Sequence, residues 1–209
     1  MNNLVLLFLA YLMGSIPSAV WIGKALYGID VRDYGSGNAG ATNTFRVLGR
    51  RAGIPVLISD VLKGFIAVKL AWISGQYLPG TQQYINFALF LGLAALLGHI
   101  FPVFAGFRGG KGVATLLGIL SAIHPQAALI CTLIFVVTLL LTHYVSLSSM
   151  FSALTFPVAI MFIYHETVPS LNFFAMFVCV MVFITHQKNI ERLLRGEENK
   201  TFLNFRRKD

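Results

Sequence analysis

Three polar segments of this chain carry residues that could hold phosphate groups. One is Phe107-Arg108-Gly109-Gly110-Lys111-Gly112, lodged between two stretches too apolar for water. Glycine amides free of side-chain bulk, beside a lysine and an arginine, suit a phosphate-like anion. As a nucleotide P-loop the turn fails, because Ala105 stands at the first glycine position and Gly112 where Ser or Thr is required. A second segment runs from Asp30 to Arg46. Its glycines, Gly35, Gly37 and Gly40, permit a nest of backbone amides, and Ser36 and Asn38 add hydrogen-bonding groups. Ala41 to Leu48 predicts a helix capped by Asn38 or Thr42, its positive end toward the nest and Arg46 offering a fork of donors. The third segment is His186 to Glu197. At about 100° per residue, His186, Asn189, Ile190 and Leu193 share one helix face, and Lys188, Arg192 and Arg195 another. Taken singly, each segment also reads more blandly: a polar loop, a flexible basic connector, a juxtamembrane amphipathic helix.

Other chemistries lack their parts. No histidine or cysteine pairing has metal-ligand spacing, so neither a metal nor a cofactor is expected. There is no G-x-S-x-G elbow and no His-x4-Asp motif. His186 and Glu191 come nearest, but on a helix they point roughly 140° apart. His99, just before Ile100-Phe101-Pro102, is placed to buttress the glycine turn. His143 falls near an interface, while His124 and His165 face away from the basic segments. Cys131 and Cys179 lie within apolar runs and read as small core hydrophobes.

What must position these segments is set by composition. Of 209 residues, 56% are hydrophobic and only 11% charged, against about 25% charged in ordinary globular domains. The bilayer is therefore the expected solvent. Seven apolar stretches are readable: Leu4–Ile22, Ile54–Ser74, Ile85–Phe104, Val113–Ile123, Gln126–Thr142, Met150–Tyr164 and Ser170–Thr185. They are continuous rather than alternating, which predicts helices and an all-α bundle of about seven spans in one membrane-embedded domain, residues 1–209. Val113–Ile123 is the shortest, so five spans is the alternative. Leu4–Ile22 lacks the basic start of a cleaved signal and is expected to stay as the first helix.

Charge then orients the bundle. Lys24, Arg32, Arg46, Arg50, Arg51, Arg108 and Lys111 fall on one side, with the crowd from Lys188 to Lys208. The connections Gly75–Tyr84, His124–Pro125 and His165–Pro169 carry no Lys or Arg and fall on the other; His143–Ser149 is neutral on the basic side. This positive-inside pattern puts the amino terminus outside and the carboxyl terminus in the cytoplasm. The net charge of +8 is accounted for by topology and anionic lipid rather than nucleic acid. Inside the second stretch, Asp60 and Lys63 can pair on one helix face, as a structural ion pair or as part of a polar cavity, and Lys69 can snorkel.

Together the three segments resemble the motifs of the bacterial membrane family of acyl-phosphate-dependent glycerol-3-phosphate acyltransferases, the PlsY family. The first motif is similar to Gly35-Ser36-Gly37-Asn38-Ala39-Gly40 through Asn43 and Arg46. The second runs from Gly98-His99 to Thr115, and the third comprises His186, Asn189 to Leu193, Gly196 and Glu197. Asp60, Lys63-Gly64 and Tyr144 to Ser148 also fit, and Arg108 departs from the lysine common at its position with charge kept. The resemblance implies transfer of an acyl group from acyl phosphate to sn-glycerol 3-phosphate, the first acylation of phospholipid synthesis. It implies a bacterial inner-membrane location and, as a partner, the enzyme that supplies acyl phosphate. Ser36, Arg46, Lys111, His186 and Asn189 match residues that hold phosphates or support catalysis, and Glu197 a more structural position. Asn38, Gly40, Asn43, Gly109, Gly110 and Gly112 fall within the substrate-binding motifs. A transporter of a small phosphorylated anion is the competing function, opposed by the lack of a matching basic site on the other side.

Overall fold

In the computed structural model, residues 2–201 are described, and Arg206, Arg207 and Lys208 of the basic carboxyl-terminal run lie outside them. The described residues form an all-helical bundle without strands. Its helices are α1 (Asn3–Gly14), α2 (Ser18–Tyr27), α3 (Ala41–Leu48), α4 (Arg50–Ser74), α5 (Gln82–Ile100), α6 (Val113–Ile123), α7 (Pro125–Thr142), α8 (Val145–Val158), α9 (Pro169–Thr185) and α10 (Gln187–Leu194). Each apolar stretch read from the sequence is helical over most of its length, and large side chains such as Phe8, Trp72, Leu141, Phe162 and Phe173 are exposed on the outside of the bundle. Such a surface is stable only against lipid, as an integral membrane protein requires.

The first stretch is not one straight helix. α1 and α2 meet at 43° across Ser15-Ile16-Pro17, because Pro17 has no N–H and its ring clashes with the preceding turn. Pro157 acts similarly in α8, after which the chain loosens into a π-turn, Ala159–Ile163. By length and composition three segments among the described residues can cross a membrane alone: Gln82–Ala105, Pro125–Thr142 and Val145–Ile163. The bent pairs α1–α2 and α9–α10 raise this to five. α4 has 25 residues but carries Asp60, Lys63 and Lys69. α6, with 11 residues, reaches about 16 Å against a hydrocarbon thickness of about 30 Å.

Small residues let these helices approach closely. A methyl group at Gly14 would strike the Ala95 carbonyl, and one at Gly98 the Tyr11 carbonyl, so α1 and α5 touch backbone to backbone. Likewise Gly64 sits on the Thr115 carbonyl and Gly118 on that of Val61, locking α6 against α4. Lys69 does more than reach toward water: its Nζ donates to the Ala122 carbonyl near the end of α6 (3.3 Å) and lies over the Phe65 ring. The short α6 is thus held along its length, and its first residue follows directly on the glycine turn.

Candidate active site

Elements from all three polar segments converge at one end of the bundle. α3 has the bounds its sequence predicts, but its cap is Gly40 with no side-chain hydrogen bond, rather than Asn38 or Thr42. That frees Asn38 to line the site. Asn43 is buried, and its amide is fully used: Oδ1 accepts from the Ser36 N–H (2.9 Å), while Nδ2 donates to the carbonyls of Val31 (2.8 Å) and Tyr34 (3.1 Å). Asn43 therefore shapes the loop that presents Ser36.

The glycine turn is built differently from an open nest of amides. Gly109 donates to the Ile100 carbonyl (3.2 Å) and Gly110 to that of His99 (3.1 Å). A Cβ at either residue would collide with the end of α5, at Gly110 with the His99 ring itself. These glycines fold the turn onto His99, which buttresses it as its sequence position suggests. Donors for an anion come instead from the opening amides of α6 after Gly112, which have no intrahelical partner, and from Lys111. A brace joins this turn to the first loop. Arg32 Nη1 donates to the carbonyls of Ala105 (2.7 Å) and Arg108 (3.3 Å), and its guanidinium grips both carboxylate oxygens of Asp30. Arg32 beside it holds the Asp30 carboxyl well below the usual carboxylate range.

The third segment turns sharply at His186, just past α9, with α10 bent 59° away. His186 and Asn189 are buried on the inner face, with Ile190 and Leu193 partly buried beside them, as the periodicity predicts. The His186 Nδ1 lies 2.7 Å from the Val182 carbonyl. A carbonyl only accepts, so Nδ1 carries the proton and Nε2 keeps its lone pair. Burial, followed by the nearby Lys111 charge, lowers the imidazole pKa to about 4, so the ring is neutral. Asn189 accepts from Lys111 Nζ through Oδ1 and donates to Glu198 Oε1 (2.7 Å).

Glu198 is the residue that sequence reasoning missed. Its carboxylate also accepts from Ser146 Oγ (2.9 Å) and Arg192 Nε (2.9 Å), and its side chain is 6% exposed. Gly196, with φ of +70°, turns the chain back: its N–H bonds the Leu193 carbonyl and that of Glu197 the Arg192 carbonyl. The strap then continues to Thr201, whose N–H donates to the His143 carbonyl (2.7 Å). The detectable signal was Gly196 directly after an amphipathic helix. Arg32 likewise gave no sign, since nothing local links it to Ala105.

These side chains enclose a cavity of about 390 Å³ between α4, α6, α7, α8 and α9. Ser36, Asn38, Arg46, Lys111, His186 and Asn189 ring its polar mouth. Leu116, Leu120, Cys131, Phe135, Phe156 and Val178 line its apolar depth, so Cys131 is both a core residue and a wall. Leu57 and Val136, which also face outward, give it a flank toward lipid. The lining stops short of the far-end loops at His124 and His165. A polar hollow of about 290 Å³ adjoins it, lined by Ser36, Gly37, Gly110, Lys111, Lys188 and Arg192 among others. Ser36, Asn38, Lys111, Asn189 and Arg192 border both. Arg46 is exposed at the mouth and has no hydrogen bond or ion pair among the described residues.

Fold and site together define an integral membrane protein with basic and hydrogen-bonding groups at the polar end of an apolar, lipid-flanked cavity. The chain belongs to the glycerol-3-phosphate acyltransferase family, whose sequence model matches residues 4–196. The glycerol-3-phosphate acyltransferase of Enterococcus faecalis is 45% identical over 100% of this chain and 96% of its own. That of Fusobacterium nucleatum is 46% identical over 92% of this chain and 94% of its own. Among solved structures, PlsY (YgiH), an integral membrane glycerol 3-phosphate acyltransferase, superposes in its glycerol 3-phosphate form with a TM-score of 0.86. That structure is 39% identical, covering 96% of each chain. Its lysophosphatidic acid form gives 0.82 at 37% identity, over 96% of this chain and 95% of that one.

Proposed function

We propose that this protein transfers an acyl group from an acyl phosphate to sn-glycerol 3-phosphate, giving 1-acyl-sn-glycerol 3-phosphate and inorganic phosphate. The observation that carries this reading is the pair of adjoining hollows, one apolar and lipid-flanked, one polar, with Lys111, Asn189 and Ser36 between them. The acyl chain occupies the first and the soluble substrate the second. Their phosphates meet Ser36, Asn38, Arg46, Lys111, Arg192 and the start of α6.

An acyl phosphate is already activated, so no acyl-enzyme is needed. The glycerol 1-hydroxyl oxygen bonds to the acyl carbon, the carbon–oxygen bond to phosphate breaks, and its electron pair leaves with the phosphate. The hydroxyl proton passes to a phosphate oxygen. His186 accepts the hydroxyl's hydrogen bond at Nε2 and aims it, while Lys111 and Arg46 absorb charge developing on the leaving group. Asn43, Gly40, Gly109, Gly110 and Gly112 shape the loops that present these groups. The basic connections support a site at the cytoplasmic face of the bacterial inner membrane, with the amino terminus outside and about seven spans, the short α6 among them, forming one domain. An acyl-phosphate-producing enzyme supplies the donor there.

The test is phosphate release by the purified, detergent-solubilised protein given palmitoyl phosphate and sn-glycerol 3-phosphate, with acyl-CoA and acyl-carrier-protein donors run alongside. Turnover with the acyl phosphate alone is expected. Turnover with acyl-CoA alone would replace the donor.

A further inference from the structure

Beneath the glycine turn lies a charged cluster, two members of which, Asp60 and His99, reach the cavity wall, and to which the acyl transfer described above assigns no step. Asp60 Oδ1 accepts from Ser18 Oγ (2.6 Å) and Lys63 Nζ (2.8 Å), and His99 Nδ1 lies 3.8 Å away. Lys63 Nζ also donates to the Ile16 carbonyl (3.1 Å), which sits in the break between α1 and α2. Asp60 is 1% exposed, His99 5% and Lys63 6%, and Asp60 Oδ2 is buried without a hydrogen-bond partner among the described residues. For stability alone this arrangement is poorly suited, since well-packed apolar side chains often match or exceed a buried ion pair.

Its placement supplies another role. The cluster joins the α1–α2 break, the middle of α4 and the end of α5. His99 then touches Gly110 twice, with its carbonyl accepting the Gly110 N–H and its ring filling the space a side chain at 110 would take. Lys111 is the next residue. We propose that Asp60 and Lys63 are positioning residues: with Ser18 they fix His99, and through His99 they set where Lys111 presents its ammonium beside Asn189. This rests on the reading of Lys111 as an anion ligand.

The test replaces the pair by apolar groups of similar reach, Asp60→Leu/Lys63→Met, and measures glycerol 3-phosphate binding by calorimetry beside thermal stability in detergent. The expected result is a melting temperature at or above wild type with affinity lowered about tenfold, the scale of a modest misplacement. In a Lys111→Ala background the same double replacement is expected to cost no further affinity, because its effect passes through Lys111. Wild-type affinity in the double variant, or an equal loss with and without Lys111, would overturn the proposal. Gly110→Ala, which drives a methyl group into the His99 ring, gives an independent route. It too should lower affinity in the Lys111 protein and not in the Lys111→Ala protein, and unchanged affinity would overturn the link. Because binding is read without an acyl donor, failure of the acyl-transfer reading shows separately, as binding without turnover.

Discussion

Lys111 is a cation kept among cations. Burial lowers its pKa from the ordinary lysine value to about 8; Glu198 pulls it back up, while Arg192 and Arg46 push it further down. The proposed phosphate contact needs its charged form, and that form is lost as pH rises through about 8. A phosphate monoester is already a dianion there, its second pKa lying near 6. The kcat/KM for glycerol 3-phosphate, which reports the free enzyme, is therefore predicted to fall above pH 8, and Lys111→Arg to move that fall upward. Lys111→Ala should cost about 10²- to 10³-fold in turnover with the protein still folded. At His186 the neutral ring with Nε2 free suits aiming rather than proton removal. His186→Gln is predicted to keep at least a tenth of wild-type turnover, and a loss of about 10²-fold or more would reassign the proton to the imidazole. That Ser36, Arg46, Lys111, His186 and Asn189 line one cavity was legible because glycine turns and helical spacing betray local shape. Glu198 was not: a glutamate after a turn reads as a solvated charge until the chain folds it onto Asn189, Arg192 and Ser146.

At the scale of elements, α6 offers its opening amides to the proposed anion site and depends on α4 to hold it. Its seat is the backbone contact at Gly64 and Gly118. Gly64→Val should force the helices apart at a cost of about 1–3 kcal/mol and displace Lys111. Turnover is then expected to fall at least tenfold, since small misplacements at a reacting centre are costly. Kinetics and a melting curve on the purified variant would check this, and unchanged turnover would contradict it. The sequence located α3 to the residue and α10 by its two faces, because both are amphipathic and end near glycines. It missed the α1–α2 break, where the apolar run continues through Pro17 and only the bonds of Ser18 and Lys63 with Asp60, and of Lys63 with Ile16, show what the bend serves. It also misread how the glycine turn works: close packing on His99, a long-range contact, takes up the amides of Gly109 and Gly110.

Across the whole molecule, hydropathy separates a lipid-facing exterior from an interior where polar groups meet at one end. The cavity runs from that polar end into the apolar bundle and stops before the opposite loops, as suits joining a water-soluble molecule to a lipid-soluble one. Composition made the membrane class legible, and loop charge the expected orientation. The lateral flank at Leu57 and Val136 depends on how distant helices lean, which no local pattern encodes. The central claim is direct transfer, without an acyl-enzyme, between substrates held on either side of Lys111. Rapid mixing of purified protein with acyl phosphate alone, then with glycerol 3-phosphate added, tests it by following phosphate and lysophosphatidate together. The account predicts no phosphate burst without the acceptor and equal amounts of both products once it is present. A burst stoichiometric with enzyme before the acceptor arrives would contradict it.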